Sequence, residues 1–520
     1  MNKPKTSGYS EAGASLTRRA LKGFRPNSRS PAEDIDLNNI TLRQRSRMLY
    51  MAAPLATAAV NTNRTKIVGV GLTPSPMIDY DFLGISKEDA VKWQRRTQKE
   101  FSLWASKKQN CDALGINNFN ALQQLALKSW LMSGDTFALI KRSDPTPLNP
   151  YTLRIHMVEA DRVCTPYPYR IGLFVHPDIE GIVPEGQPGA GNKIHDGVEV
   201  DKNGQIVAYH ICSVYPQGML LEESKWTRVP AYGSKTGMPN ILQIMESERP
   251  DSYRGVPYIA PVIEMLLQLR RYTEAQISSA LVQTLFTAFV KTETDKSEIP
   301  MNEVGAGDIN GIPSQNPTEE NISTSENEYE MGQGTVLHLA PGESVDFGNP
   351  NIPSVGFDTF MKTLTRMIGA ALEIPYDVLV KEFNASYSAS RGALVEAWDA
   401  FRMRRTWFVN SFCQPVYELW LSEAVALGRI KAPGFFVDPL VRSAWCNANW
   451  IGPVQGQLDP KKEAEAAILM TAHGFKTHEQ VTRELGGGDW NANIEQVLAE
   501  REKCGEMQTP EVTPSKEEEE

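Results

Sequence analysis

The chain is short of the residues that mark most enzyme and metal chemistry. Its six cysteines, Cys111, Cys164, Cys212, Cys413, Cys446 and Cys504, are widely spaced and form no C-x-x-C pair. That excludes a disulfide scaffold or a zinc ribbon and predicts reduced thiols, as in a cytoplasmic setting. Seven histidines in 520 residues are scattered, with only His473 and His478 close together, so three or four converging metal ligands are not foreshadowed. The longest apolar run near the start, Ala52 to Val60, falls far short of the ~20 residues that span a bilayer and lies too far in for a signal peptide. A soluble protein without a membrane partner is therefore expected. Positive charge is in deficit: 53 Lys and Arg face 63 Asp and Glu, a net charge of −10, which excludes a general nucleic-acid coat. Neither G-x-S-x-G nor H-E-x-x-H occurs, and no cofactor is expected.

What the chain does have is length for two or more structural units and one organising stretch, from Arg254 to Leu394. Arg254-Gly255-Val256-Pro257 opens it. A helical run from Tyr258 to Phe289 follows, with Ile259, Val262, Ile263, Leu266, Leu267 and Leu269 at spacings of three and four. A helix over 257–289 would be ~50 Å long, more than one compact core needs. Next comes an acidic excursion, 290–350, in which Glu293, Asp295, Glu298, Glu303, Asp308, Glu319, Glu320, Glu326, Glu328 and Glu330 face only Lys291 and Lys296. Its edges, Phe289 to Thr292 and Gly334 to Leu339, are strand-like. A second helix, Val355 to Ile374, carries Phe357, Phe360, Met361, Leu364, Ile368, Ala371 and Leu372 and should stop at Pro375. The loop Asn384-Ala385-Ser386-Tyr387-Ser388-Ala389-Ser390 is small apart from Tyr387, and carries no charge. From pattern alone, a pair of core helices in an α/β domain fits as well as two struts that hold the excursion at their far end.

The Arg-Gly-Val-Pro start, the loop Phe383 to Arg391, the following Glu396-Ala397-Trp398, and the run Arg442-Ser443-Ala444-Trp445-Cys446-Asn447-Ala448-Asn449-Trp450-Ile451-Gly452 occur in an order that resembles the lambda-type portal proteins of tailed bacteriophages. The resemblance covers roughly residues 40–500. It implies a helix-rich α+β subunit with wing, stem, clip and crown regions. Twelve copies would form a ring, through which double-stranded DNA passes at one capsid vertex of the virion. It further implies partners: the terminase large subunit, a head-tail adaptor, and the major capsid and scaffold proteins, with assembly in the bacterial host cytoplasm. On that pattern 1–40 is a basic tail and 41–256 the wing. Residues 257–289 are the first stem helix, 290–350 the clip, 351–383 the second stem helix and its kink, and 384–390 the tunnel loop nearest DNA. A long wing helix (391–432), a crown (433–505) and an acidic tail (506–520) complete it. Glu319, Glu320, Glu326, Glu328 and Glu330 would be the acidic clip surface.

Residues 1–40 hold Lys3, Lys5, Arg18, Arg19, Lys22, Arg25 and Arg29 among small polar residues, either a solvated tail or an electrostatic contact. A helix is expected from Leu42 to Ala59 with Thr41 as N-cap, then a strand at Gly69 to Leu72. Ser86 should cap a helix to Ala105, and Asn118 to Met132 should form another, stopped at Gly134. Strands are expected over 137–142, 152–158 and 205–214. The loop Gly186 to Gly191 has phosphate-loop glycine spacing, but Lys193 is displaced by Asn192 and Ile194 replaces the hydroxyl, so that motif fails. Ser390 to Leu427 reads as a long helix kinked or split at Pro415. On it Arg402, Arg404 and Arg405 would touch phosphates if they face inward, or acids of a neighbour if outward. Trp445 and Trp450 lack the interleaved basic residues of a single-strand groove and are expected in a core. Near the end, Asp459, Thr477 with Gln480, and Asp489 should each start a helix, and Gly474 should end the first.

Two rival functions stand beside the portal. One is a capsid-associated or prophage-encoded enzyme, a protease or nuclease, which needs clustered acids or a Ser-His or Cys-His pair. The other is a membrane-associated secretion ring, which needs an apolar span.

Overall fold

The computed structural model describes residues 9, 12–170, 180–216, 218, 223–284, 288–292, 343–347, 357–382, 387–456, 460–486, 488 and 490–504. The chain divides into two compact units, one of residues 1–268 with 363–520 and one of residues 269–362.

In the larger unit, helices Leu37–Ala52, Pro54–Ile67, Lys87–Ser106 and Phe119–Ser133 precede two antiparallel sheets. The three-stranded sheet runs Leu153–Glu159, Asp135–Arg142, Ile241–Met245. The five-stranded sheet runs from Glu180–Ile182 through Lys193–His195, Val198–Val200 and Ile206–Cys212 to Trp226–Pro230. This is the helix-rich α+β class expected. Ser86 accepts a hydrogen bond from the Asp89 amide (3.1 Å) and Asn118 from the Ala121 amide (2.9 Å), so these two helices start where the cap residues placed them.

Three local expectations are corrected. Leu42 to Ala59 is two helices, not one, and Thr41 lies inside the first of them. The break falls at Ala53, which is extended (φ −115°, ψ 112°) because the ring of Pro54 clashes with a helical residue before it. Gly69 to Leu72 is a turn: Gly69 has φ +59° and Gly71 φ +129°, conformations a strand does not use. The strand is Thr73–Pro76, paired antiparallel with Ala448–Ile451. The long run near Tyr258 is shorter than read, a single turn at Ala260–Val262 and then a 22-residue helix, Ile263–Thr284, about 33 Å long. Ile259, Val262, Ile263, Leu266 and Leu269 are buried as their spacing predicts, whereas Leu267 sits off that stripe and is 36% exposed.

The helix Tyr387–Phe408 continues through a π turn, Val409–Cys413, into Gln414–Ala426. Pro415 cannot donate a hydrogen bond, and the widened turn just before it lets the helix pass through with one irregularity rather than a break. Phe401, Phe408, Phe412, Val416, Leu419 and Trp420 are buried along it. Phe101 sits at the centre of the main core, meeting Phe119, Tyr417 and Trp420 edge to face at 5.6, 5.6 and 5.1 Å. Towards the C-terminus, Pro460–Ala472 is followed by Gly474 at φ +72°, then by the Thr477–Gln480 capping box and the last helix, Trp490–Cys504. Asp459 and Asp489 lie outside the described residues.

The smaller unit contains the rest of the helix from Leu269, the antiparallel pair Ala288–Thr292 with Glu343–Phe347, and the start of the helix Phe357–Ala371. The strand at 288–292 matches the expected near edge of the acidic excursion, while 334–339 lies outside the described residues. Tyr272 stacks on Phe357 (5.5 Å) and meets Phe360 edge to face (5.0 Å), which joins the two helices within this unit.

Trp445 is 3% exposed, 4.9 Å from the Trp93 ring, and donates its indole N–H to the Pro433 carbonyl at 3.2 Å. Trp450 is half-buried against the same core and donates to Gln414 Oε1 at 3.0 Å. Trp445→Ala should cost ~3–5 kcal/mol in urea unfolding; Leu440→Ala, at a residue 68% exposed, should change stability by less than ~1 kcal/mol.

Candidate functional site

The larger unit is built on a buried ionic network. Arg254 has no exposed surface. It pairs with Asp135 at 2.5 Å and Asp196 at 2.6 Å, and donates to the carbonyls of Ala160 and Val163, both at 2.9 Å. Arg43, 1% exposed, adds a pair to Asp196 at 3.1 Å and donates to the Ser133 carbonyl at 3.3 Å. Arg47 extends the network to Asp161 and Ser133. Burial opposes charge on Arg254, but Asp135 and Asp196 more than offset it and raise its pKa. Burial likewise opposes charge on Asp135, yet Arg254 and Arg43 hold its carboxyl below the usual carboxylate range.

Arg254 reaches this point because Gly255 lies against Gly134. A Cβ on Gly255 would stand 2.0 Å from the Gly134 carbonyl oxygen, and one on Gly134 would stand 2.3 Å from that of Gly255. Gly134 at φ +85° ends its helix and turns Asp135 inward. The Arg-Gly-Val-Pro stretch is thus a joint between the helical layer and the three-stranded sheet.

Of the three arginines singled out on the long helix, only Arg402 is exposed. Arg404 is 6% exposed, pairs with Glu373 at 2.5 Å, donates to Asn63 Oδ1 at 3.2 Å and lies over the Tyr258 ring at 5.0 Å. Arg405 donates to the carbonyls of Ile67 (2.9 Å) and Lys66 (2.7 Å) and lies 5.6 Å over the Trp398 ring. Burial, with Arg402 beside it, pushes the Arg405 pKa down to about 10, so it remains a cation at neutral pH. Arg404 and Arg405 are therefore engaged by their own chain, on the packed side of the helix.

Of the candidate tunnel loop, Tyr387, Ser388, Ala389 and Ser390 already belong to the helix Tyr387–Phe408, which starts earlier than its polar sequence suggested. Asn384, Ala385 and Ser386 lie outside the described residues, as do Glu319, Glu320, Glu326, Glu328 and Glu330.

The features that tempted other readings are accounted for locally. The glycine-rich turn Gly186 to Gly191 packs on an acid: Asn192 donates to Glu199 at 2.8 Å, and a Cβ on Gly189 would meet the same carboxylate at 2.1 Å. Despite burial, His210, Arg228 and Asn192 hold the Glu199 pKa down to about 2, so a phosphate would meet a negative charge there. His195 stacks on Tyr253 (5.0 Å) and His478 on Trp490 (4.6 Å). Among the described residues no three His, Cys, Asp or Glu side chains could hold a metal ion. Burial pushes the thiols of Cys111, Cys164 and Cys446 up to about 12, far from a nucleophile's range. Also among the described residues, no helix is long and apolar enough to cross a membrane.

The buried ion pairs thus serve internal joints. Comparison with known proteins gives the class. A model of the phage portal protein, lambda family, matches residues 17–405, and the chain belongs to that family. It is 24% identical to the portal protein of Escherichia phage N15 over 505 residues, covering 93% of this chain and 88% of that one. It is 23% identical to portal protein B of Escherichia phage lambda over 478 residues, covering 88% and 83%. A solved structure of the neck of a native GTA particle, computed with C12 symmetry, covers 87% of this chain and 94% of its own at 13% identity and a TM-score of 0.41. The protein is a portal protein of the phage head-tail connector and not an enzyme, which sets aside the protease or nuclease alternative. Its place is the portal vertex of the virion.

Two predictions follow from the network. Asp135→Ala leaves Arg254 buried without its nearest partner and should cost ~3–5 kcal/mol by urea unfolding. Asp36, 2% exposed, has its pKa raised to about 7, first by burial and then by Asp196. A carboxyl whose folded pKa exceeds its unfolded value favours folding below the unfolded pKa, and that contribution is lost as pH rises through the folded pKa. Stability should therefore fall from about pH 4 to 7, and Asp36→Asn should flatten that slope and unfold later than wild type at pH 8 in thermal scans.

Proposed function

We propose that the chain assembles as a closed ring, with twelve copies in the virion, and that double-stranded DNA passes through its centre during packaging and ejection. The observation that carries the reading, beside family membership, is an unfinished apolar face. On the helix Ile263–Thr284, Ile277 is 56% exposed, and Phe360 in the same unit is 47% exposed. Burying such a face returns ~25 cal/mol per Å², and repetition around a rotation axis supplies the same partner surface to every copy. The net charge of −10 suits a channel through which DNA slides, since many phosphate contacts by Lys and Arg would grip it in a salt-dependent way.

Within that reading, residues 384–390, the last four of which open the helix Tyr387–Phe408, lie nearest DNA, because small uncharged side chains let several copies crowd around one axis without repulsion. Arg402 remains a candidate for contact with phosphate or a neighbour. The acidic surface of Glu319, Glu320, Glu326, Glu328 and Glu330 meets the terminase large subunit during packaging and the head-tail adaptor afterwards. The major capsid and scaffold proteins take up the ring, which is made in the bacterial host cytoplasm.

Native mass spectrometry tests the ring: twelve copies of a 57.9 kDa chain give about 0.7 MDa, and a stable monomer at micromolar concentration would refute it. Ser386→Arg and Ser388→Arg should leave the ring intact while packaging falls, with a defect relieved by salt. Loss of assembly instead would make this stretch a packing element.

A further inference from the structure

The helix Lys87–Ser106, ~30 Å long, has an exposed apolar patch at each end, and the two patches differ in charge. Around its start lie Met77, Phe82, Phe436, Val437 and Leu440, all exposed, Val437 by 88%. Local contacts bring them together. The Met77 amide donates to the Asn447 carbonyl at 2.8 Å, and the helical turn Tyr80–Leu83 lies against the helix Pro439–Cys446. Phe436 meets the buried Phe435 edge to face at 5.0 Å. Trp93, in the first half of the long helix, holds this surface in place through the Trp445 ring and a 2.9 Å hydrogen bond to the Lys431 carbonyl. Asp79, Asp81, Glu88 and Asp438 are exposed on or beside it, against Lys87 and Lys431, so the patch is acidic on balance.

At the other end Leu103, Leu114 and Ile116 are each at least 60% exposed. Lys99, Lys107 and Lys108 are exposed beside them. Cys111 joins the loop to the helix end, its thiol 3.9 Å from the Ala105 carbonyl and 3.7 Å from that of Asn117. The two acids of this stretch are buried and serve the fold. Glu100 accepts from the Tyr151 hydroxyl at 2.6 Å and from Arg429. Asp112 accepts the amides of Leu114, Ile116 and Asn117 at 3.0, 2.9 and 2.8 Å. The second patch is therefore apolar and basic.

Exposed apolar clusters rimmed by charge mark interaction surfaces. Like charge opposes a contact of either patch with its own copy, whereas each patch complements the other. Complementary patches at separate places on one chain give a head-to-tail contact, the kind that generates rings. We infer that the acidic patch around Phe82 and Val437 of one copy docks on the basic patch around Leu103 and Ile116 of the next. The inference rests on the ring proposed above and names one surface by which neighbours meet. With charge at its rim, the contact weakens as salt rises.

Zero-length carbodiimide crosslinking of full-length protein, assembled from differently isotope-labelled copies at low salt, tests this. Mass spectrometry should find Asp79, Asp81 or Asp438 of one copy joined to Lys99, Lys107 or Lys108 of another. Asp81→Lys with Glu88→Lys reverses the acidic patch and leaves the capping aspartates in place. Lys107→Glu with Lys108→Glu reverses the basic one. Each double variant alone should assemble severalfold less than wild type by native mass spectrometry, at an unchanged urea midpoint. An equimolar mixture of the two should assemble again, with both variants in equal numbers, because every acidic patch then meets a basic one. Rings that form without these crosslinks, with both variants assembling as wild type does, would overturn the proposal and leave the ring standing. Failure of the mixture to recover would also overturn it. Crosslinks of the expected kind in open chains would support this contact and refute the closed ring. A wild-type monomer without crosslinks would refute both.

Discussion

Arg254 is the residue on which the larger unit turns. A guanidinium with no exposed surface must find an acceptor for each N–H, and here it finds two aspartates and the carbonyls of the Ala160–Val163 turn. Those acceptors come from residues 119, 94, 91 and 58 positions away along the chain. One side chain therefore sets the relation of a helix end, a sheet edge and a turn before the five-stranded sheet. Such a joint adds little net stability over an apolar one of equal volume, but leaving it half-made is costly. It makes wrong packings expensive, which is what a subunit needs if many copies must take one shape.

The same device recurs at the long helix. Arg404 and Arg405 tie it to the carbonyls and Asn63 of the helix Pro54–Ile67, and Gly452 closes over the spot: a Cβ there would stand 2.4 Å from Leu72 and 3.3 Å from the Arg405 guanidinium. The glycine that ends Trp450-Ile451-Gly452 is therefore required by a close contact with Leu72, far earlier in the chain. Between the two joints the aromatic core around Phe101 supplies most of the apolar burial, and Trp445 and Trp450 extend it to the strand that pairs with Thr73–Pro76.

This distribution of charge bears on function. Arg43, Arg254, Arg404 and Arg405 are engaged inside the fold, the five described thiols are buried, and His195 and His478 are stacked on aromatic rings. Arg402 on the long helix remains exposed.

Residue order alone determined a good deal. The capping residues Ser86, Asn118 and Thr477 placed three helix starts, because a cap is satisfied within four residues and needs no distant partner. Spacing identified the buried stripe from Ile259 to Leu269, and the ordered motifs from Arg254 to Gly452 pointed to the portal family. The tertiary structure decided the rest. Nothing near Thr41 announces that Ala53 will break the helix beyond the proline beside it, and Gly69 and Gly71 read as strand until their positive φ values are seen. Arg402, Arg404 and Arg405 look like one cluster in sequence, yet the helical turn of 100° per residue sends two of them inward. The partners of Arg43 and Arg254 could not be read at all, since long-range pairing depends on which surfaces meet when the whole chain packs, and no local pattern encodes that meeting.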